Sequence, residues 1–175
     1  DSREKKRVVK FEEIPDHVVK AVLAIEDRRF FSHPGLDPLR IVGAAIRNVR
    51  AESFIQGGST ITQQLAKNLF LAGERSLART GQEFVITIML EVLLSKQRIL
   101  EIYLNNVEWG EGLFGAEAAA RHYFHVGADG LGAMAAARLA VMLPAPKRFE
   151  KRPGSAYVVG RAGTVAARMG AVDPP

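Results

Sequence analysis

Two carboxylates and one cation-bearing helix hold most of the chemistry legible in this chain. Glu26 follows the apolar residues Ala24 and Ile25 at the end of a helical pattern. A carboxylate against apolar surface has its charged form disfavoured, so its pKa rises and it can act as a base near neutral pH. The alternative is an acidic helix end paired with Arg28 or Arg29. Asp27 points away from Glu26 on a helix and suits a structural hydrogen bond. Glu83 is the second carboxylate, with Arg79 one turn earlier. As a plain ion pair they would contribute only a few tenths of a kcal/mol. Their place in an otherwise apolar segment favours a site, because an isolated buried charge is costly. His33 stands before Pro34-Gly35 and reads as a turn or packing histidine.

Between the carboxylates lies GGSTITQQLAKNLF, residues 57–70. Ile61, Leu65 and Leu69 recur every four residues and form an apolar stripe. Thr60, Gln63, Gln64 and Lys67 fall on another face, which offers a hydroxyl, two amides and one ammonium with no acid. Ser59 is placed to cap the helix, and the glycines let backbone approach a ligand closely. Caps and polar faces are common on surface helices, which usually mix Glu with Lys; amides and hydroxyls are not the usual choice. A helix N-terminus with one Lys along its face suits phosphate or pyrophosphate. The G-x-x-x-x-G-K-[ST] spacing of a nucleotide P-loop is missing. Two separated carboxylates beside a phosphate-suited helix point to glycosyl transfer with a pyrophosphate leaving group.

The elements that must carry these groups read as mainly α. Residues 7–11 are β-compatible and extended. Pro15-Asp16 opens a helix with Val18, Val19, Val22 and Ile25 as its buried positions. Asp37-Pro38, a cap followed by Pro at the first helical position, opens another through about residue 50. The polar segment 51–56, with only Phe54 as an apolar anchor, is expected to be mobile. Residues 77–94 are apolar almost all round and predict a buried helix. Arg79, Glu83, Thr87 and Glu91 break that pattern along one stripe. Ser95 caps the next helix, and WGEGLFG (109–115) reads as a glycine-rich loop with exposed aromatics. Alanine-rich helices follow at about 116–124 and 131–143, and a last one runs from Ser155 to near Gly170.

At 175 residues the chain suits one domain, bilobed or simple, with ample core. A net charge of +5 and a pI near 9.7 favour an acidic partner: phosphate, anionic lipid or nucleic acid. The basic residues are scattered and no homeodomain, finger or RRM pattern appears, so nucleic acid is not expected. There are no cysteines, which excludes disulfides and thiolate metal sites. No apolar run reaches the roughly 18–20 residues of a membrane span. The chain opens on DSREKKR with no initiator Met, so a membrane anchor ahead of it is expected.

The runs EDRRFFSHPG, GGSTITQQLAKN, RTGQEF, SKQRILEIYLN and the Gly115–Phe124 pattern G-x-x-x-A-A-x-x-Y-F occur in order across about residues 10–150. Together they resemble the motifs of the peptidoglycan glycosyltransferases. That lysozyme-like polymerase domain occurs in class A penicillin-binding proteins and in monofunctional transglycosylases. LPAPKRF followed by PGSAYVVGR is more similar to the monofunctional branch. The resemblance implies polymerisation of lipid II into glycan strands by inverting transfer, with release of undecaprenyl diphosphate. By match, Glu26 is the general base on the acceptor 4-hydroxyl, and Glu83 the second essential carboxylate. Lys67 and Arg79 stabilise the diphosphate, and Ser59, Thr60, Gln63, Gln64 and Asn68 line the donor cleft. Asp27, Phe30 and His33 stand near the base, partly as structure.

The same resemblance implies a bilobed fold with a cleft lined by Glu26, Lys67 and Glu83. It implies as partners lipid II, the growing lipid-linked glycan, phosphoglycolipid inhibitors and the membrane surface. The location implied is the extracytoplasmic side of the bacterial inner membrane. Membrane contact is expected near 84–94, at the 109–114 loop and at 147–149. The third motif commonly reads Arg-Lys and here is Arg79-Thr80, which removes one cation. Lys147 and Arg148 are the candidates to replace it. Mg2+ or Mn2+, if used, should bridge diphosphate oxygens with few protein ligands. The competing readings are a lysozyme-like glycoside hydrolase, which needs no diphosphate cradle, and a non-catalytic lipid II-binding module.

Overall fold

The computed structural model of the chain describes residues 8–50, 58–70 and 76–175. The expected mobility of 51–56 therefore falls outside the described residues, as does Gly57. Among the described residues the chain is mainly helical, as expected, with one short hairpin. It divides into two compact units: Asp1–Arg28 with Leu100–Val172, and Arg29–Ile99 with Asp173–Pro175.

In the first unit, helix α1 (Asp16–Glu26) begins at Pro15, whose carbonyl accepts the first helical N–H groups. Val18, Val19 and Val22 are buried as expected; Ala21 and Leu23 are buried with them, and Ile25, the remaining expected position, is half-exposed. α1 packs on α7 (Ala133–Met142), and α7 packs on α9 (Ala156–Arg168). α7 contributes the small side chains Ala136, Ala137 and Ala140 to the core, beside Val18, Val19 and Val22 of α1 and Val158, Ala162 and Val165 of α9. Small side chains let helix axes approach, so backbone and aliphatic atoms fill the core at high density. Ser155 caps α9 as its sequence predicts, accepting from the Val158 N–H at 3.3 Å.

The glycine-rich segment is not a loop with exposed aromatics. It forms an antiparallel hairpin of β1 (Glu108–Gly110) and β2 (Leu113–Phe114), and Trp109 is fully buried. Its indole N–H donates to the Leu139 carbonyl at 2.8 Å, and the Tyr123 hydroxyl donates to the Trp109 carbonyl at 2.7 Å. A large apolar ring with one satisfied polar handle gains more from burial than from standing in solvent. Only Phe114 of the pair remains exposed. The extended lead-in pairs with a side chain instead of a strand: the Asn105 amide on α5 (Lys96–Asn106) accepts from Val9 N–H at 2.8 Å and donates to its carbonyl at 2.9 Å. α6 (Ala116–Phe124) and the short α8 (Pro146–Phe149) complete this unit.

The second unit holds α2 (Pro38–Arg50), α3 (Ile61–Phe70) and α4 (Leu77–Leu93), with the start of α5. Asp37 caps α2 ahead of Pro38, accepting from the Arg40 N–H at 3.3 Å. α3 packs on α4, with Ile61 and Leu65 buried. The expectation of a buried α4 is wrong. Thr87 is its buried residue, whereas Phe84, Val85, Met89, Val92 and Leu93 are exposed, Val92 by 78%. The polar stripe of α4 turns inward because its groups find partners there, including Thr62 and Lys96 for Glu91. Paired inward charges remove the penalty that would otherwise turn that stripe to water. The apolar face is left outside.

Candidate active site

The first turn of α3 is fixed by a reciprocal pair. The Thr60 hydroxyl accepts from the Gln63 N–H at 3.2 Å, and the Gln63 side-chain oxygen accepts from the Thr60 N–H at 2.9 Å. This is a capping box with T-x-x-Q spacing. Ser59, expected as the cap, is instead an exposed residue one position outside it. Thr60 also donates its hydroxyl to the Gly35 carbonyl at 2.6 Å, and it is fully buried. Its role is therefore to set the helix, and its hydroxyl is committed in both directions. Gln64 and Lys67 are half-buried on the following turns, and Asn68 is exposed. Among the described residues Lys67 has no carboxylate partner.

On α4, whose N-cap Ser76 accepts from the Arg79 N–H at 3.1 Å, Arg79 Nε lies 3.4 Å from Glu83 Oε1. Both side chains are largely shielded. The pair is thus more than a fully solvated surface contact, and it keeps a guanidinium and a carboxylate on one face. Thr80 turns back, donating its hydroxyl to the Ser76 carbonyl at 3.1 Å. Its side chain serves the helix end where a lysine would carry charge.

The turn before α2 is built from Phe30 and His33. Phe30 is fully buried, and the His33 ring meets it edge-on at 6.0 Å. His33 Nδ1 accepts from the Gly35 N–H at 3.0 Å, which makes it the turn histidine the sequence predicts. Arg29 holds both oxygens of Asp37. Burial pushes the Asp37 carboxyl up, but the Arg29 guanidinium, the Arg40 N–H and His33 outweigh it and hold the group below its ordinary value.

Glu26 and Asp27 belong to the first unit. Glu26 is the last residue of α1 and is buried. Asp27 leaves the helix with φ −165° and ψ 75° and is fully buried. Tyr103 of α5, also buried, feels both carboxylates: burial and then the charges of Glu26 and Asp27 push its phenol well above the ordinary value. Sequence reasoning passed over Tyr103. Its signal was one polar aromatic inside the apolar run ILEIYLN.

The candidate replacement cations are already engaged. Lys147 Nζ lies 3.2 Å from Glu111, and Glu111 first, then Glu108, raise its pKa. Arg148 sits over the Phe149 ring at 5.6 Å. Among the described residues no group of three or more His, Cys, Asp or Glu could hold a metal.

The geometry is thus a buried carboxylate beside a buried phenol in one unit, and a capped helix with a cation face beside an Arg–Glu pair in the other. A family model described as Transglycosylase matches residues 1–170. A biosynthetic peptidoglycan transglycosylase of Burkholderia multivorans is 52% identical over 167 residues, covering 95% of this chain and 68% of the relative. Proteins of the same description from Burkholderia vietnamiensis and Burkholderia ambifaria are each 51% identical over the same coverage. A match that runs nearly the full length, joined to relatives at half identity or better, means that this chain belongs to the transglycosylase family.

Proposed function

We propose that this chain polymerises lipid II into the glycan strands of peptidoglycan, working on the extracytoplasmic side of the bacterial inner membrane. Glu26 takes the proton from the acceptor 4-hydroxyl. The freed oxygen attacks the anomeric carbon of the growing chain, forming one C–O bond with inversion as the bond to the diphosphate oxygen breaks. Lys67 and Arg79 stabilise the charge that gathers on the leaving undecaprenyl diphosphate. Glu83 is the second carboxylate of the site and holds Arg79 in place. Ser59, Gln63, Gln64 and Asn68 supply polar contacts to the donor. Thr60, Phe30 and His33 act by shaping the backbone, and Asp27 by anchoring the end of α1.

The observation that carries the reading is Lys67, half-buried on a capped helix and without a carboxylate partner among the described residues. A cation held that way is available to an anionic ligand. A divalent ion would have no cage of protein ligands among the described residues. Mg2+ or Mn2+, if used, would be held mainly by the substrate's diphosphate and would neutralise charge there. The same cradle would accept a phosphoglycolipid inhibitor.

The polyprenyl tail of such a substrate places the reaction at a lipid surface. No helix among the described residues is long and apolar enough to cross a membrane. The exposed apolar residues Leu39 and Val42 of α2, with Val85, Met89 and Val92 of α4, are what a lipid surface would cover. The 109–114 segment contributes Phe114 alone, since Trp109 is buried.

Incubation with lipid II and gel separation of the products tests the proposal. A ladder of glycan polymer is expected. Digestion of soluble glycan without polymer formation would instead make the chain a hydrolase, and tight lipid II binding without turnover would make it a binding module.

A further inference from the structure

The polar stripe of α4 contains two residues that the proposed chemistry does not use, Thr87 and Glu91. Thr87 is fully buried, and Glu91, with a side chain only 12% exposed, is the one that reaches other helices. Its Oε1 accepts from the Thr62 hydroxyl at 2.7 Å and from Lys96 Nζ at 2.7 Å. Thr62, fully buried, is the second residue of α3, and Lys96 is the first of α5. The Lys96 ammonium also stands over the Phe30 ring at 4.6 Å. One carboxylate therefore joins three helices and the turn that carries Phe30 and His33.

That turn is built around the same carboxylate. Gly35 has φ +108°, and a Cβ there would come within 2.9 Å of Glu91 Cγ and 3.2 Å of Thr87 Cγ2. A side chain at position 35 would meet both strain and collision, so the turn lies directly on Glu91. The Gly35 carbonyl in turn accepts from Thr60. The first turn of α3 is thus tied at two hydroxyls: Thr60 to the turn, Thr62 to Glu91. A helix tied at both points cannot slide or rotate on α4 without breaking a buried hydrogen bond, which is costly in a shielded setting.

Lys67 lies farther along α3, and Arg79 and Glu83 lie on α4. Their mutual placement is set by how α3 sits on α4. We propose that Glu91, acting through Thr62, is a positioning residue that holds the α3 cation face in register with Arg79 for diphosphate binding. This rests on the diphosphate reading of Lys67 and Arg79 given above. Glu91 touches no substrate in this role.

Thr62→Val tests it with little risk to folding, since it keeps the side-chain shape and leaves Glu91 paired with Lys96. Binding of a phosphoglycolipid inhibitor should weaken by about 10- to 100-fold, the scale at which small misplacements act. The KM for lipid II should rise more than kcat falls, and Thr62→Ser should restore both. Wild-type affinity in Thr62→Val, or failure of Thr62→Ser to restore it, overturns the proposal. Should Thr62→Val not fold, Thr62→Ala carries the same expectations. Lys67→Ala measured alongside separates the two claims. If it binds inhibitor as the wild type does, the diphosphate reading itself fails. If it binds weakly while Thr62→Val binds normally, only the positioning role fails.

Discussion

Under the proposed function, single side chains divide into those that would meet a ligand and those that shape the backbone beneath it. That proposal puts Lys67 in the first group. A charge-assisted contact to a diphosphate oxygen contributes about 1.5–3 kcal/mol, so Lys67→Ala should weaken phosphoglycolipid binding by about 10- to 100-fold. An isothermal titration reads this directly, and an unchanged affinity would remove Lys67 from the cradle. Asp37 stands in the second group. Its carboxyl is held below its ordinary value by Arg29, Arg40 and His33 against the upward push of burial. A depressed carboxylate stabilises the fold above its unfolded pKa, about 3.9, and that contribution is lost as pH falls through the folded value. Urea midpoints of the wild type and Asp37→Asn should therefore differ at pH 7 and converge below about pH 4. A gap that stays constant with pH would show that the carboxylate charge is not what matters there.

At the level of elements, hydrophobic periodicity identified which residues share a face but not which face turns inward. The stripe Arg79, Glu83, Thr87, Glu91 was visible, yet α4 was expected to bury its apolar side. What reverses it are partners distant in the chain, Thr62 and Lys96, which no local pattern reveals. The cap of α3 failed differently. Ser59 and Thr60 are both good N-cap residues, and the deciding group is Gln63, three positions after Thr60. Trp109 shows the same limit, because its partner carbonyl at Leu139 lies thirty residues away. Starts marked by local chemistry, at Pro15-Asp16, Asp37-Pro38, Ser95 and Ser155, were legible and appear in the structure. The capping box can be measured. Thr60→Val removes both the cap and the bond to Gly35, and should lower stability by about 1–2 kcal/mol in denaturant unfolding. A midpoint unchanged from the wild type would mean that α3 does not depend on Thr60.

For the whole molecule, the family match and the basic charge point the same way, towards an anionic lipid-linked substrate. The exposed apolar residues of α2 and α4 predict a lipid-facing surface. Val85→Glu with Met89→Glu should leave stability within about 0.5 kcal/mol per substitution, as for exposed sites generally, while reducing flotation with anionic liposomes. Undiminished flotation would place the lipid contact elsewhere. The central claim is that Glu26 is the base of a polymerising transferase whose diphosphate cradle is separate from it. Glu26→Gln keeps size and much of the hydrogen bonding but cannot accept the proton. The most direct measurement pairs lipid II turnover with a titration of phosphoglycolipid inhibitor on that one variant. Turnover should fall by about 10²–10⁴, the usual contribution of general-base catalysis, with inhibitor affinity retained. Polymer formed at the wild-type rate, or inhibitor binding lost together with turnover, would contradict the account.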